Sequence, residues 1–531
     1  MLLTGSPGGA YYAIARHLQQ VVRAQGGALE VLPTRGAVES LYLLAWGHGD
    51  FAIVQGDVLE SPRHRHARAA VEVVGPLISE ELHVLVRQSG EVAELADLRG
   101  RKVATGPLGS GTAMTVADVL RVGGVEDVEL VHLGLTPGLE ALAAGQVDAL
   151  LYVGATPLPA LADRDGLAWI SLREEVFERF PLENSPYLRT TQEAPYGWGA
   201  GEVETLGVQA YLVRRKEVDP RPLTRAVLAA ADPESPHACP LLEGVVVDEE
   251  PPAPAELGAL PPAPQRDVLR LLSGPAGGSY AACGEDLGQL SDRVRVIETE
   301  GSLRNLILVA AGEADLAIVQ ADVIEEGLLA ESTRDHVGSL RLVLPLYEET
   351  LHVVARGDGE LESVDQLVGL RVAIGETGSG TQVTARRLVR RLGWARGSLV
   401  TRAVGGDLAW EAVQRGQLDA AFYVGGQPIT RFGEDAGFLA VEGAEGRIEP
   451  GSYPWLTRSV PAVSVQALLV ARSDADPEVI REVVVAYFAR REELLARNPR
   501  WEGIDLDKVR NYAGVLPLHA GLSQALESEL R

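Results

Sequence analysis

GHGDFAIVQGDV, residues 47–58, returns as GEADLAIVQADV at residues 312–323. Gln55 and Asp57 of the first run meet Gln320 and Asp322 of the second, with the apolar Ala52–Val54 matched by Ala317–Val319. Each run reads as a short buried strand, FAIVQ or LAIVQ, entered from a glycine turn and left at a polar end. A repeat at so long a spacing decides the architecture. It points to one domain-sized unit used twice, because the units of solenoids and propellers are far shorter.

Other blocks recur in the same order. TGSPGGAYYAIARHL from Thr4 is echoed by SGPAGGSYAACGEDL from Ser273, and ELHVLVR from Glu81 by TLHVVAR from Thr350. GQVDALLYVGATP from Gly145 meets GQLDAAFYVGGQP from Gly416, and VQAYLV from Val208 meets VQALLV from Val465. Between the copies lies DEEPPAPAELGALPPAPQRD, whose prolines favour extended polyproline backbone and a semi-rigid spacer. The expected organisation is a first module over residues 1–250, a Pro-rich linker over 251–264 and a second module over 265–531.

The chain has 531 residues and is 46% hydrophobic, enough to fill more than one core. Its formal net charge of −26 repels phosphate polyanions, so nucleic acid is excluded as an expected partner. Cys239 and Cys283 have no metal-ligand spacing and read as small apolar residues, and neither metal nor cofactor is expected. No apolar run reaches the roughly 20 residues of a membrane span, and residues 1–20 show no signal-peptide pattern. The expectation is therefore periplasmic or extracytoplasmic placement if a signal has been removed, and cytoplasmic placement if Met1 is the natural start.

Within each copy, β-rich runs such as DFAIVQ, ELHVLVR, RKVATG and VDALLYV alternate with helical segments such as AYYAIARHLQQVVRA. That alternation predicts an α/β fold with mainly parallel sheet. The strand at Glu81 separates two α/β units, and VQAYLV at Val208 follows the second, so each module is expected to have two lobes joined by two crossing strands. Hinge motion is expected along 81–87 and 208–213, and along 350–356 and 465–470.

Two glycine-rich turns per copy open onto helices. GPLGSGTA lacks the lysine of a phosphate-binding P-loop, with Gly111 in its place, and GETGSGTQ fails in the same way at Gly380. The order G-x-x-G-x-G is also not that of a dinucleotide fingerprint. What remains is a helix N-terminus with backbone N–H groups and hydroxyls, suited to a carboxylate or another small anion, or else a plain turn with Thr112 as its N-cap. Gly109, Ser110, Gly111 and Thr112 are the candidates, with Gly378, Ser379, Gly380 and Thr381 in the second copy. The first turn adds Thr4, Ser6, Gly8 and Tyr11, answered by Ser273, Gly277, Ser279 and Tyr280. Gln55 and Tyr152, with Gln320 and Tyr423, fall at the carboxyl ends of strands, where α/β proteins place ligand contacts.

No catalytic signature appears: there is no G-x-S-x-G elbow and no H-E-x-x-H helix, and His83 and His352 sit inside apolar strands as core residues. The basic run RHRHAR at 63–68 reads as a solvated loop face.

Taken together, TGSPGGAYYAIA, TRGAVESLYLLAWGHGDFAIVQGDV, LRGRKVATGPLGSGT and the closing GVLPLHAG resemble the TAXI family of solute receptors of TRAP transporters. The resemblance implies two tandem type II periplasmic-binding-protein modules, non-enzymatic, each closing its lobes on a small anionic or zwitterionic solute such as glutamate, glutamine or a related carboxylate. It also implies delivery to membrane permease subunits driven by an ion gradient. The copies differ where the family carries adjacent tyrosines: Tyr11 and Tyr12 are met by Tyr280 and Ala281. Pro7 and Pro275 each remove a backbone donor from the first turn. LPLHAG, residues 516–521, has no clear counterpart in the first copy. Two other readings remain: an enzyme acting on a small phosphorylated or anionic metabolite, and a cytosolic sensor or scaffold with one degenerate module.

Overall fold

FAIVQ and LAIVQ are strands, Phe51–Gln55 and Leu316–Gln320, and both are buried along their whole length. The computed structural model describes residues 1–245 and 268–528, apart from residues 126, 163, 181, 183–184, 194–195, 199–200, 244, 330, 396, 503, 505 and 513–515. The Pro-rich linker expected at 251–264 lies outside the described residues. The chain divides into two compact units, Met1–Gln265 and Arg266–Arg531.

The first unit is built on strands β1 (Leu2–Thr4), β2 (Val31–Pro33), β3 (Phe51–Gln55), β4 (Val71–Arg87), β5 (Lys102–Thr105), β6 (Glu129–His132), β7 (Ala149–Gly154), β8 (Leu167–Trp169), β9 (Tyr187–Glu193) and β10 (Glu202–Arg215). Their order is β2-β1-β3-β10-β4-β7-β5-β6, with β8 on β4 and β9 on β10. The flanks are parallel, but β10 runs antiparallel to β3 and β4, and β4 antiparallel to β7. The sheet is thus mixed where a mainly parallel one was expected. The reason is that the chain returns from the second lobe along β10.

β4 pairs with β10 as far as Glu81 and with β7 from Glu81 onward, so it passes from one lobe to the other at Glu80–Glu81. β10 pairs with β9 up to Val208 and with β3 from Ala210, and crosses between them. Each lobe has its own core. Leu2, Ile14, Leu18 and Ile53 fill the first, and Val84, Val103, Val119 and Leu150 the second.

Helices α1 (Ala10–Ala24), α2 (Ala37–Ala45), α3 (Gly56–Glu60), α4 (Arg65–Ala69), α5 (Gly111–Val122) and α6 (Leu135–Ala143) follow the strands that precede them. α1 buries Ile14, Leu18 and Val21 at helical spacing, as its amphipathic sequence requires. RHRHAR is not a solvated loop: it forms a 3-10 turn running into α4, with His64 and Ala67 buried.

The second unit repeats the plan with β11 (Leu269–Leu272), β12 (Val294–Ile297), β13 (Leu316–Gln320), β14 (Leu340–Arg356), β15 (Arg371–Ala373), β16 (Val400–Arg402), β17 (Ala420–Gly425), β18 (Ala436–Phe438), β19 (Gly446–Ile448), β20 (Val460–Ala462) and β21 (Ser464–Arg472). The order β12-β11-β13-β21-β14-β17-β15-β16 is that of the first unit, strand for strand. Its helices include α7 (Ser279–Gly288), α8 (Ser302–Ala310), α9 (Ala321–Leu329), α10 (Glu331–Gly338), α11 (Gly380–Arg391) and α12 (Gly406–Gln414). The closing segment docks on β14, where the His519 N–H reaches the Leu342 carbonyl at 2.9 Å. Among the described residues, no helix is long and apolar enough to cross a membrane.

Candidate functional site

Four helices of the first unit begin at one cavity of about 280 Å³ between its lobes. The cavity is lined by the starts of α1 (Gly8–Tyr11), α2 (Gly36, Ala37), α5 (Ser110–Thr112) and α6 (Gly134–Thr136). The N-caps of α1, α2 and α6 are glycines 9, 36 and 134, and none supplies a side-chain cap. First-turn N–H groups there have no intrahelical partner, and each helix start carries about half a positive charge. Arg35 adds a guanidinium to the lining. The cavity's electrostatics favour an anion.

The lobes touch around it. The Glu39 N–H of α2 meets the Gly109 carbonyl at 3.2 Å, and the Thr115 hydroxyl of α5 donates to Asp57 of α3 at 2.6 Å. Gly111 leaves room for the Gln55 amide: a Cβ there would fall 1.5 Å from Gln55 Oε1, so that side chain would have to move. Gly380 and Gln320 repeat the contact at 1.3 Å.

Of the residues expected at this site, Ser6, Gly8, Tyr11, Gln55, Ser110, Gly111, Thr112 and Tyr152 line the cavity. Thr4 and Gly109 are not among its lining residues. Thr4 is fully buried, with its carbonyl accepting from Ser40 at 3.2 Å, and its counterpart Ser273 is buried in the same way. Gln55 is 4% exposed, and its Nε2 has no hydrogen-bond partner. In the second unit Gln320 Nε2 reaches Thr384 Oγ1 at 3.4 Å.

The hydroxyls do other work than expected. Ser110, not Thr112, is the N-cap of α5, accepting from the Ala113 N–H at 3.1 Å, and Ser379 does the same for Gln382 at 3.2 Å. Thr112 Oγ1 is engaged with the backbone of Val153 on β7, and Thr381 Oγ1 accepts from the Val424 N–H at 3.1 Å. Gly378, like Gly109, offers its carbonyl to an N–H, that of Arg304, at 2.9 Å. Tyr423 donates to the Gly406 carbonyl at 3.0 Å. Gly277 sits in its turn with φ +75°, Ser279 opens α7, and Tyr280 reaches inward.

Sequence reasoning missed Glu80. It is buried at the lobe crossing and accepts from the Tyr11 hydroxyl at 2.5 Å, as Glu349 does from Tyr280 at 2.8 Å. Burial pushes both carboxyls up to about 8, against the opposing pull of the tyrosine hydrogen bond. Burial thus disfavours a negative charge on Glu80, the direction that preserves the cavity's positive character. The signal was available, because Glu80 and Glu349 stand at matching positions before the repeated LHV. Behind the cleft, burial raises Asp57 and Asp322 to about 6. His83 and His352 are buried, and each bonds a backbone carbonyl through Nδ1 and a tyrosine hydroxyl through Nε2, all at 2.9 Å. Among the described residues, no group of three or more His, Cys, Asp or Glu is placed to hold a metal ion.

A family model described as the NMT1-like family matches residues 2–228 and 271–435. The chain is also similar to the substrate-binding protein of an amino acid ABC transporter, at 13% identity over 43% of this chain and 89% of that one, with a TM-score of 0.29. The periplasmic domain of BvgS from B. pertussis matches at 17% identity over 97% of this chain and 92% of that one, TM-score 0.29. The periplasmic aliphatic sulphonate-binding protein SsuA from Escherichia coli matches at 15% identity over 50% and 94%, TM-score 0.29.

Proposed function

The chain belongs to the NMT1-like family, and on that premise we propose that it is a non-enzymatic tandem solute receptor acting outside the cytoplasm. Each module closes its lobes on a small carboxylate-bearing solute, an amino acid such as glutamate or glutamine or a related organic acid. In keeping with the TAXI resemblance, the solute passes to the membrane subunits of a TRAP-type secondary transporter. The Pro-rich stretch 251–264 serves as the spacer between modules.

One observation carries this reading. Gln55 Nε2, buried and unpaired, stands in a cavity on which four helix N-termini converge. An unpaired buried amide costs stability unless a ligand satisfies it. At about 280 Å³ the cavity lies just below the roughly 300–1,000 Å³ of ligand pockets, which suits a metabolite of a few carbons. Calorimetric titration of the full chain with a panel of C2–C6 carboxylates and the amino acids tests it. At least one should bind in the first unit, and Gln55→Leu should weaken that binding about tenfold to a hundredfold, the equivalent of one hydrogen bond to a charged group. If no member binds, or Gln55→Leu leaves affinity unchanged, the reading fails.

A further inference from the structure

The second cleft departs from the first at the positions that line the cavity. Arg35, Pro107 and Thr136 are answered by Glu300, Glu376 and Asp407. Glu300 ion-pairs with Arg304, and Asp407 with Arg431 at 3.0 Å. Glu376 is exposed and lies over the N-cap of α12, its Oε1 3.6 Å from where a Cβ of Gly405 would stand. An exposed carboxylate therefore stands in the second unit where the first has Pro107.

Around Gly426 the second unit gains groups that attract an anion. Ala10, Ile78 and Ala155 of the first unit are answered by Ser279, Tyr347 and Gly426. Gly426 brings three side chains together: a Cβ on it would meet Arg500 Nε at 3.2 Å, Tyr347 Cε2 at 3.6 Å and Ser279 Oγ at 3.7 Å. Arg500 comes from the C-terminal segment and is held by its neighbours. Trp501 is fully buried and donates Nε1 to Asp286 at 2.7 Å, and Asn498 donates to the same carboxylate at 3.1 Å. Tyr347 is 5% exposed. Arg500 Nε is buried without a hydrogen bond, and the Ser279 hydroxyl stands against the Tyr347 hydroxyl. An unpaired buried guanidinium donor beside two hydroxyls is a set that a bound oxyanion satisfies.

We propose that the second cleft takes a zwitterion, its carboxylate held by Arg500, Tyr347 and Ser279 and its ammonium by Glu376, whereas the first cleft takes an anion without an ammonium group. The inference rests on the reading of both units as solute-binding modules. It assigns the two clefts different solutes, with the second cleft's cation supplied by a segment that follows its last sheet strand.

The test is calorimetry on the full chain with the twenty amino acids and with acetate, succinate, glutarate and 2-oxoglutarate, which lack the amino group. At least one amino acid should bind once per chain. Arg500→Ala should weaken it at least tenfold, Glu376→Gln should weaken it several-fold, and Arg35→Ala should leave it unchanged. Glu376 is exposed, so that variant keeps the test decisive if Arg500→Ala fails to fold. Amino-acid binding that survives both Arg500→Ala and Glu376→Gln, or that is lost in Arg35→Ala, overturns the inference. So does binding of the carboxylates with none of the amino acids, which leaves the receptor reading standing. Binding of nothing in the panel defeats the receptor reading itself.

Discussion

In the first unit the turn before α2 carries Arg35 and, four residues on, Glu39; in the second the same positions carry Glu300 and Arg304. The signs are exchanged, yet the backbone contact across the lobes is kept: the Glu39 N–H meets the Gly109 carbonyl at 3.2 Å and the Arg304 N–H meets that of Gly378 at 2.9 Å. Gln55 against Gly111, the Ser110 cap, Tyr11 on Glu80 and Thr115 on Asp57 all recur. The contacts kept in both units are one close steric approach, glutamine on glycine, and a set of hydrogen bonds. The charged residues beside them change sign between the units, and the comparison separates what the two units share from where they differ.

The sharpest way to break that comparison is at the shared glycines. Gly111→Ala and Gly380→Ala each drive a methyl into a glutamine amide, and each should weaken solute binding in its own unit by more than about a hundredfold, with overpacking costing roughly 1–3 kcal/mol of stability. Calorimetry paired with thermal melts checks both. An effect in one unit alone would mean that the other does not close on a ligand.

The buried carboxyls give the next largest effect. Glu80 and Glu349, raised to about 8, and Asp57 and Asp322, raised to about 6, bind protons more tightly folded than unfolded. Their contribution is fully present below about pH 4 and is lost as pH rises through 6 and then 8. The melting temperature should therefore fall by on the order of 10 °C between pH 4 and pH 9. Glu80→Gln and Glu349→Gln should flatten the upper part of that fall in their own units.

Thr112→Val and Thr381→Val should cost about 1 kcal/mol of stability each, since the hydroxyls bond the backbone of β7 and β17. Denaturant melts that show no change, with affinity lowered instead, would return these threonines to the ligand. The smallest effect is at the back of the second unit, where Arg387 pairs with Glu325 at 2.8 Å and the first unit has Asp118. Arg387→Ala should cost under about 1 kcal/mol, and less in high salt.

The duplication, the two-lobe plan and the glycine turns were legible in the sequence, because a strand, a turn and a helix are local patterns and because two copies in one chain check each other. The exchange of Arg35 for Glu300 could be read from TRGAVESL against TEGSLRNL. The destination of Thr112's hydroxyl could not, since Val153 lies far along the chain and is brought close only by the pairing of β5 with β7. Arg500 was equally hidden: its approach to Gly426 depends on where Trp501 and Asn498 anchor the closing segment. The mixed sheet was missed because strand direction follows from the return path of β10, which no local pattern records.

Native mass spectrometry of the full chain after incubation with a small-molecule extract of its host tests the central claim most directly. The account predicts two bound solutes of different mass per chain, one abolished by Gly111→Ala and the other by Gly380→Ala. A chain that gains no mass, or one whose bound mass survives both substitutions, contradicts it.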